Sequence, residues 1–466
     1  MGYLLVIVVY SLAQIALGVW IARRARGSGE FFVAGRSLGP GLLAATLLAA
    51  NIGAGSTIGA AGRGYRDGIP AWWWVGSAAI GSAILAIWIA PRIRRIAAEH
   101  DLKTIGDFLE WRYDHRVRAT IAALLWVATL AILAGQYLAV ASILGTVVGL
   151  GKTWSCLIGA TVATTYFAAG GLRSSVAVNV VQVAVKLFGF VVALPLALAS
   201  VGGIGGLHAS FPPGPYWSVW SGGNSGWFYM AIVVPAFIVS PGILQKVYGA
   251  RDDRAARVGV GVNAIVLLLF AFVPPVLGMI ARAHHPELGP ARLSDQALPM
   301  VFMTDVPFWA GALGLAAVFS ADLSAADAVL FMLATSFSQD LYKRFLRPSA
   351  SDAQVLRVAR LAAVAGSVLA VAIAVSVAKD IVDALAIFYT LLGVSLFVPM
   401  IAGLFTRRRD PAAALSAIAG GVLAAAGVHW FRGPGFLYGL TPPMWGIAVA
   451  GVAYAGATML TRRDKL

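Results

Sequence analysis

Three charged side chains stand inside long apolar stretches of the sequence, where they could handle an ion or a proton. Asn179 and Lys186 lie seven residues apart in one stretch, and Asp322 and Asp327 lie five residues apart in another. Seven residues are nearly two helical turns, so Asn179 and Lys186 share a helix face. Because a charge among apolar residues costs free energy, such residues mark ion or proton pathways by default.

A second candidate is the glycine-rich stretch "LLAANIGAGSTIGAAGRGY", with glycines at 53, 55 and 59. The spacing is close to that of a dinucleotide-binding loop, but that loop needs a preceding strand and a βαβ unit. Its apolar flanks predict a helix instead. Gly55 and Gly59 also fit the small-xxx-small pattern of close helix packing, so a helix break and tight packing both stay open.

The composition identifies the environment of these residues. Of 466 residues, 59% are hydrophobic and 12% are charged, with a mean hydropathy of +0.82. The apolar runs reach the ~20 residues that a bilayer-spanning helix needs. One cysteine, Cys156, excludes an internal disulfide, and the six scattered histidines show no ligand spacing. The chain is predicted to be an all-α polytopic membrane protein without an organic cofactor.

Charged and Pro/Gly clusters divide the chain into about thirteen predicted helices. Their ranges are 2–23, 40–65, 70–93, 117–148, 153–169, 175–200, 226–243, 257–283, 305–336, 355–378, 381–405, 411–430 and 443–461. The first run has arginines after it and no basic residue before it, which favours a retained helix over a cleaved signal peptide.

Lys and Arg concentrate in alternate loops, such as "PRIRRIAAEHDLKTIGDFLEWRYDHRVR", "QKVYGARDDRAARVG" and the tail "TRRDKL". The positive-inside rule then predicts a cytoplasmic-membrane protein with its N-terminus outside and its C-terminus in the cytoplasm. The net charge of +15 is explained by this topology, so nucleic-acid binding is not predicted.

Two predicted spans carry Gly/Pro interruptions. The glycine-rich stretch lies in the second helix, and Pro235, Pro241 and Gly242 lie in the seventh. Interrupted backbone at membrane depth is tolerated only where it lines a protein cavity. Two such segments five helices apart indicate a transporter built from inverted repeats.

The sequence resembles the sodium:solute symporter family, through "YFAAGGLRSSVAVNVVQ", "SPGILQKVYGARDDRAAR" and "LSAADAVLFMLATSFSQDLYKR". The resemblance implies a single transporter domain over 1–466 with a five-plus-five inverted-repeat (LeuT-like) core. Its parts would be an extra N-terminal helix at 2–23, repeats at 40–200 and 226–405, and two C-terminal helices at 411–461.

The resemblance also implies a sodium site between the second and ninth helices. Matching the family motifs residue by residue assigns carbonyl ligands to Ala49, Ile52 and Ala321, and a hydroxyl ligand to Ser324. The family's second hydroxyl is replaced by Ala325. Oxygen ligands on a broken helix suit a hard monovalent cation, because carbonyl dipoles replace its hydration shell.

The charged residues suggest what replaces the missing hydroxyl ligand of the cation site. At 1.5 Å per residue, Lys186 lies about 10 Å further out than Asn179, and Asp322 roughly 7 Å further out than Asp327. Asn179 is therefore expected to meet Asp327, and Lys186 to meet Asp322. Three interpretations stay open: the Lys186 ammonium replaces sodium and couples transport to protons, the lysine and aspartate form a structural ion pair, or an aspartate replaces the lost sodium ligand.

The solute is expected at the midplane beside the two interruptions. The candidate pocket residues are Asn51, Ser56, Thr57, Gln136, Tyr137, Tyr229, Tyr389 and Thr390. The tryptophans at 72–74 are interpreted as an aromatic belt at the membrane interface.

The predicted function is secondary active, cation-coupled symport of a small organic solute by alternating access, with Na⁺ or H⁺ as coupling ion. No enzyme constellation, nucleic-acid partner or obligate protein partner is predicted. The alternatives are a transporter-like solute sensor, or a sodium-independent carrier with Lys186 as a tethered cation. A channel would fit the broken helices and intramembrane charges less well.

Overall fold

The computed structural model describes residues 2–22, 36–221, 226–290, 293–433 and 437–463, and these residues form helices, turns and loops without a β-strand. The side chains of residues 15, 17–22, 166, 168–179, 227 and 462–463 lie outside this description. The helices in chain order are α1 Gly2–Ala22, α2 Pro40–Asn51, α3 Ile58–Asp67, α4 Trp72–Ile84, α5 Ala90–Glu99, α6 Ile105–Arg112, α7 His115–Val148, α8 Lys152–Ser200, α9 Gly203–Ala209, α10 Tyr229–Val239, α11 Pro241–Tyr248, α12 Asp253–Phe270, α13 Val273–His284, α14 Ala297–Thr304, α15 Phe308–Thr335, α16 Asp352–Ser376, α17 Ile381–Phe405, α18 Pro411–Arg432 and α19 Pro442–Arg463.

Within the described residues, ten helices are long and apolar enough to cross a membrane, or eleven if the bent pair α2 and α3 counts as one span. The all-α membrane fold is therefore confirmed, whereas the count of thirteen is not. Two further expected spans, at 2–23 and 153–169, lie in the described helices α1 and α8 but include residues whose side chains lie outside the description.

The second predicted helix is broken, as its glycines indicated. α2 and α3 meet at an angle of 77° across a short 3-10 turn, Ala54–Ser56. The break requires glycine for space. A Cβ on Gly53 would lie 2.3 Å from the Cβ of Ala325, and one on Gly55 would lie 2.3 Å from Cδ2 of Leu385. A helix break and close packing thus both occur in this stretch.

The seventh predicted helix is also interrupted. α10 ends at Val239 and α11 begins at Pro241, with Ser240 in a non-helical conformation between them. α11 continues to Tyr248, five residues beyond the predicted end of this helix at 243. Part of the stretch that the sequence assigned to a basic loop is therefore helix.

One predicted loop is absent from the secondary structure. The helices expected at 153–169 and 175–200 form one uninterrupted helix, α8, of 49 residues. Gly170 and Gly171 at the expected boundary lower helix propensity by only about 1 kcal/mol each, which does not by itself end a helix.

Helix α15 lies at the centre of the region that carries the candidate site. It packs against α7, α8 and α2, and α17 packs against α7 and α10. The break between α2 and α3 is therefore enclosed by α7, α8, α15 and α17. This arrangement brings residues from distant parts of the sequence to the freed backbone of the break.

Candidate functional site

The ammonium group of Lys186 lies against the helix break. Its Nζ donates hydrogen bonds to the carbonyl oxygens of Ile52 at 2.9 Å and Ala49 at 3.1 Å, and to Oγ of Ser324 at 2.8 Å. The side chain of Lys186 is fully buried. Three of the four residues assigned to a sodium site thus surround a protein amine.

The break explains why these carbonyls are available. In a continuous helix, the oxygen of Ala49 would accept from the amide of Gly53, but that amide donates to Oγ of Ser56 instead. The oxygen of Ile52 would accept from the amide of Ser56, which donates to the oxygen of Gly53. Oγ of Ser56 and the oxygen of Gly53 thus replace the carbonyls of Ala49 and Ile52 as acceptors, which leaves these two carbonyls free to accept from α8.

The hydrogen-bond geometry favours the charged form of the amine. An ammonium has three N–H donors and no acceptor. Lys186 contacts three oxygen atoms, and Ser324 Oγ in turn lies 2.7 Å from the oxygen of Ala49 and 2.9 Å from that of Ala321. Ser324 can donate its single proton to either carbonyl while it accepts from Lys186. Every donor in the cluster then has an acceptor.

Asp322 is the acidic residue that faces Lys186 electrostatically. The two side chains interact electrostatically, and both are fully buried. Neither carboxyl oxygen of Asp322 has a hydrogen-bond partner within the described residues. A buried carboxylate normally accepts hydrogen bonds, so its free oxygens can still take a proton or a cation.

The other expected pair is only partly described. Asn179 lies in the part of α8 whose side chains are outside the description. Asp327 interacts electrostatically with Lys246 on α11, a lysine that is 6% exposed. Sequence reasoning missed Lys246, because it stands in the basic run "QKVYGARDDRAARVG" and was assigned to a loop. The proline at 241, which begins a new helix, was the available signal.

A cavity of about 40 Å³, which has room for only a few water molecules, lies beside the break. Four predicted pocket residues line it, Asn51, Ser56, Gln136 and Tyr389. The structure adds the glycines at 53 and 55, the aromatic residues Trp74 and Phe237, and apolar side chains of α4, α7, α15 and α17.

The polar groups of the cavity have defined orientations. Oε1 of Gln136 accepts from the amide of Ala54 at 3.1 Å, so the side-chain NH₂ of Gln136 is left to donate elsewhere. Nδ2 of Asn51 donates to Oδ1 of Asn263 at 3.0 Å. The cavity therefore offers an amide donor and an amide acceptor, and none of its described lining residues is charged.

The belt interpretation of the tryptophans is wrong for Trp74. This residue is 4% exposed, and its Nε1 donates to the carbonyl of Gly55 at 3.0 Å. Its ring lies 5.7 Å from that of Tyr389 and 5.0 Å from that of Tyr229. A tryptophan run at a helix end has the same appearance in sequence whether it faces lipid or an internal cavity.

Four predicted pocket residues do not line the cavity. Thr57 is buried and donates to the oxygen of Gly53, and Tyr229 packs behind the ring of Trp74. Tyr137 shares a 2.8 Å hydrogen bond with Ser367 of α16. Adjacent residues on a helix point about 100° apart, so Gln136 and Tyr137 cannot both face the cavity. Thr390 is also outside the lining.

Comparisons with known proteins agree with this architecture. The sequence model of the sodium:solute symporter family matches residues 31–212 and 216–421. A sodium/pantothenate symporter of Escherichia coli is 29% identical over 91% of this chain and 89% of its own length. A sodium/glucose cotransporter of Vibrio parahaemolyticus is 26% identical over 80% of this chain and 74% of its own. The outward-open structure of a Na⁺-coupled sialic acid symporter is similar in fold, with a TM-score of 0.81, 18% identity and 98% coverage of both chains.

Proposed function

The chain belongs to the sodium:solute symporter family, and we propose that it is a proton-coupled member in which the Lys186 ammonium holds the cation position. The observation that carries this proposal is the triad of hydrogen bonds from Nζ to Ala49, Ile52 and Ser324. A sodium ion could not share these oxygen atoms with an amine at 2.8–3.1 Å, since both would occupy the same space.

The coupling step is the loss of the proton from Lys186. Hydrogen bonds to a charged group contribute about 1.5–3 kcal/mol each, roughly twice the neutral value. The protonated lysine therefore connects α8 by hydrogen bonds to the break between α2 and α3 and to α15. The neutral amine has one donor fewer and no charge, so deprotonation loosens these three elements. We propose Asp322 as the proton acceptor, because it interacts electrostatically with Lys186 and its carboxyl oxygens have no hydrogen-bond partner among the described residues.

The solute cavity is coupled to the cation position through shared backbone. Ile52 and Gly53 are neighbours, and Ile52 accepts from Lys186 while Gly53 lines the cavity. Loss of the hydrogen bond to Ile52 is therefore expected to move the backbone at Gly53, which lines the cavity. We assign solute recognition to Asn51, Ser56, Gln136, Trp74 and Tyr389. Because the described lining is uncharged, the enclosed part of the solute is a neutral polar group.

A second candidate keeps sodium as the coupling ion. It is favoured by the family and by the two carboxyl oxygens of Asp322, which have no hydrogen-bond partner in the described residues. Asp322 would then replace the missing hydroxyl ligand, and Lys186 would swing aside. The sodium and proton proposals differ in whether free Na⁺ stabilises the protein.

A solute-free experiment separates them. The melting temperature of the purified protein is measured in NaCl and in KCl at equal ionic strength, because a ligand that binds the native state raises it. The proton proposal expects equal values for the wild type, and a sodium-dependent rise in the double variant Lys186→Ala/Ala325→Ser. Lys152→Ala, at an exposed lysine of the same helix, is the control. A saturable sodium-dependent rise in the wild type would overturn the proton proposal.

Transport itself is tested in proteoliposomes with radiolabelled pantothenate, glucose, proline and choline. An inward proton gradient without sodium is expected to drive accumulation of one of these solutes, and Lys186→Ala to abolish accumulation while exchange continues. Strict sodium dependence with an unchanged Lys186→Ala variant would contradict the proposal. Binding without accumulation would indicate a sensor instead.

We place the C-terminus and the basic loops in the cytoplasm, with the N-terminus outside. Two Lys- and Arg-rich segments support this orientation, one between α5 and α7 and one between α15 and α16. The chain has one cysteine, Cys156, which Cys156→Ser removes. In that background, Ser349→Cys is expected to react with a membrane-impermeant maleimide only after the membrane is opened.

A further inference from the structure

A groove of about 470 Å³ opens on the outer surface of the helix bundle, away from the transport site. Three arginines line it, Arg92 and Arg95 from α5 and Arg257 from α12, together with the apolar side chains of Trp88 and Ile96. Arginines from two helices that are far apart in sequence thus converge on one concave surface.

Local helix geometry aims these side chains into the groove. α4 passes into α5 through a π-helical turn, Leu85–Ile89, and Trp88 in this turn is 64% exposed. Arg92 and Arg95 follow Trp88 by four and seven residues and share its face. A π turn is a frequent mark of a functional site in a helix.

Positive charge remains in excess at this surface. The carboxylate of Asp253 binds both Arg94 at 3.2 Å and Arg95 at 2.6 Å. Arg257 has no ion-pair partner within the described part of the chain. One further carboxylate, that of Glu99, acts on Arg95 at longer range.

Arg92 contacts an aromatic ring, because its guanidinium lies 4.9 Å from the ring centroid of Phe405. Among the described residues, Arg92 forms no ion pair with a carboxylate. Of the three arginines that line the groove, Arg92 and Arg257 therefore have no ion-pair partner in the described ranges and can bind an external anion.

An apolar stripe continues from the arginines toward the membrane centre. Val258, Val262, Ile265 and Leu269 of α12 are 42%, 40%, 61% and 68% exposed. From Arg257 to Leu269 the helix rises about 18 Å, at 1.5 Å per residue. The hydrocarbon of one leaflet is about half of a ~30 Å bilayer core, so the stripe spans the depth of a lipid tail.

From this combination we infer that the groove binds an anionic phospholipid, with its phosphodiester on Arg92 and Arg257 and a tail along α12. A free phosphate would use the arginines and leave the apolar stripe bare. A zwitterionic lipid would bring a positive group against the excess of arginine. The bound lipid bridges α5 and α12, which come from the two halves of the chain, and so stabilises the helix pair that they form.

The experiment measures the melting temperature of the full chain in detergent with added phosphatidylglycerol, phosphatidylcholine or inorganic phosphate. Phosphatidylglycerol is expected to raise it saturably, whereas the other two leave it nearly unchanged. Each arginine near a membrane surface contributes about 1 kcal/mol to lipid attraction, so Arg257→Gln should weaken the apparent affinity about fivefold. Arg92→Gln should do the same.

The matched control is Arg360→Gln, which removes an exposed arginine of α16 outside the groove and should keep the wild-type affinity. Melting temperatures without lipid check that each variant is folded. Equal shifts with phosphatidylcholine, an equal shift with phosphate alone, or an unchanged affinity in both groove variants would each overturn the assignment.

Discussion

The Nζ atom of Lys186 lies 2.8 Å from the Oγ atom of Ser324, so an amine stands where a broken helix and α15 offer oxygen ligands. This contact joins residues that are 138 positions apart in the sequence. It places an amine of the protein itself in the cluster, and four predictions follow from the surrounding geometry.

The first prediction concerns the charge pair in the membrane. Removing one member of a buried pair leaves an uncompensated charge and costs about 3–5 kcal/mol, whereas removing both avoids that penalty. Asp322→Asn alone should therefore lower the melting temperature strongly, and Lys186→Met/Asp322→Asn should recover much of the loss. If the losses of stability in Lys186→Met and Asp322→Asn simply added up in the double variant, the two groups would not interact.

The second prediction concerns the space at the break. A Cβ on Gly53 would lie 2.3 Å from the Cβ of Ala325, a separation that forces the helices apart. Gly53→Ala should reduce thermal stability and transport, and the second change Ala325→Gly should restore both. The matched control is Gly41→Ala, because a Cβ at Gly41 has no neighbouring atom within 4 Å. Failure of Ala325→Gly to rescue would exclude this contact as the cause.

The third prediction separates the two ends of one amide. Oε1 of Gln136 binds the amide of Ala54, and its NH₂ is left for the solute. Gln136→Glu keeps an acceptor for the amide of Ala54 but replaces the NH₂ donor by a buried carboxyl, so solute affinity should fall about tenfold at neutral pH, as for the loss of one hydrogen bond. Gln136→Leu removes both groups and leaves the amide of Ala54 without its acceptor, so it should also lower the melting temperature. An unchanged melting temperature of Gln136→Leu would refute the role of Oε1.

The fourth prediction concerns a carboxyl in the turn between α13 and α14. Burial, with added repulsion from Asp380, raises the pKa of Asp295 to about 6, although the hydrogen bond from the amide of Ile381 and the charges of Arg66 and Arg63 lower it. A raised pKa means that the native state binds the proton more tightly than the unfolded state. The stability that this proton supplies is therefore lost as pH rises from about 4 to 6.

Asp295→Asn should accordingly be more stable than the wild type at pH 7.5, with a smaller difference at pH 4.5. Asp252 provides a control of opposite sign, because the hydrogen bond from the amide of Ala255 lowers its pKa. Asp252→Asn should be less stable than the wild type at pH 7.5. If Asp295→Asn gave the same shift at both pH values, titration of Asp295 would be excluded.

Several parts of the fold were predictable because they depend on local pattern. The helix predicted at 381–405 is Ile381–Phe405, and the span with clustered glycines is bent by 77°. The family resemblance is confirmed over 31–212 and 216–421, since its motifs are short runs of consecutive residues. Apolar length and Gly/Pro punctuation are properties of the chain that no distant contact alters.

The site was predictable only in part, because helix faces matter more than residue types. Gln136 lines the cavity and Tyr137 turns to Ser367, although the two are neighbours in sequence. Lys246 was assigned to a basic loop and is buried near Asp327, since only the packing of α11 against α15 removes it from water.

The sequence by itself determined that this chain is a helical membrane transporter with a broken helix and with charges at membrane depth. Hydropathy and backbone punctuation suffice for that. Only the tertiary structure decided that the Nζ of Lys186 reaches Ile52 at 2.9 Å, because a long flexible side chain can reach many positions until packing selects one. The same packing brings Arg92 and Arg257 together in one groove, whereas the sequence indicates them only as charges that set the membrane topology.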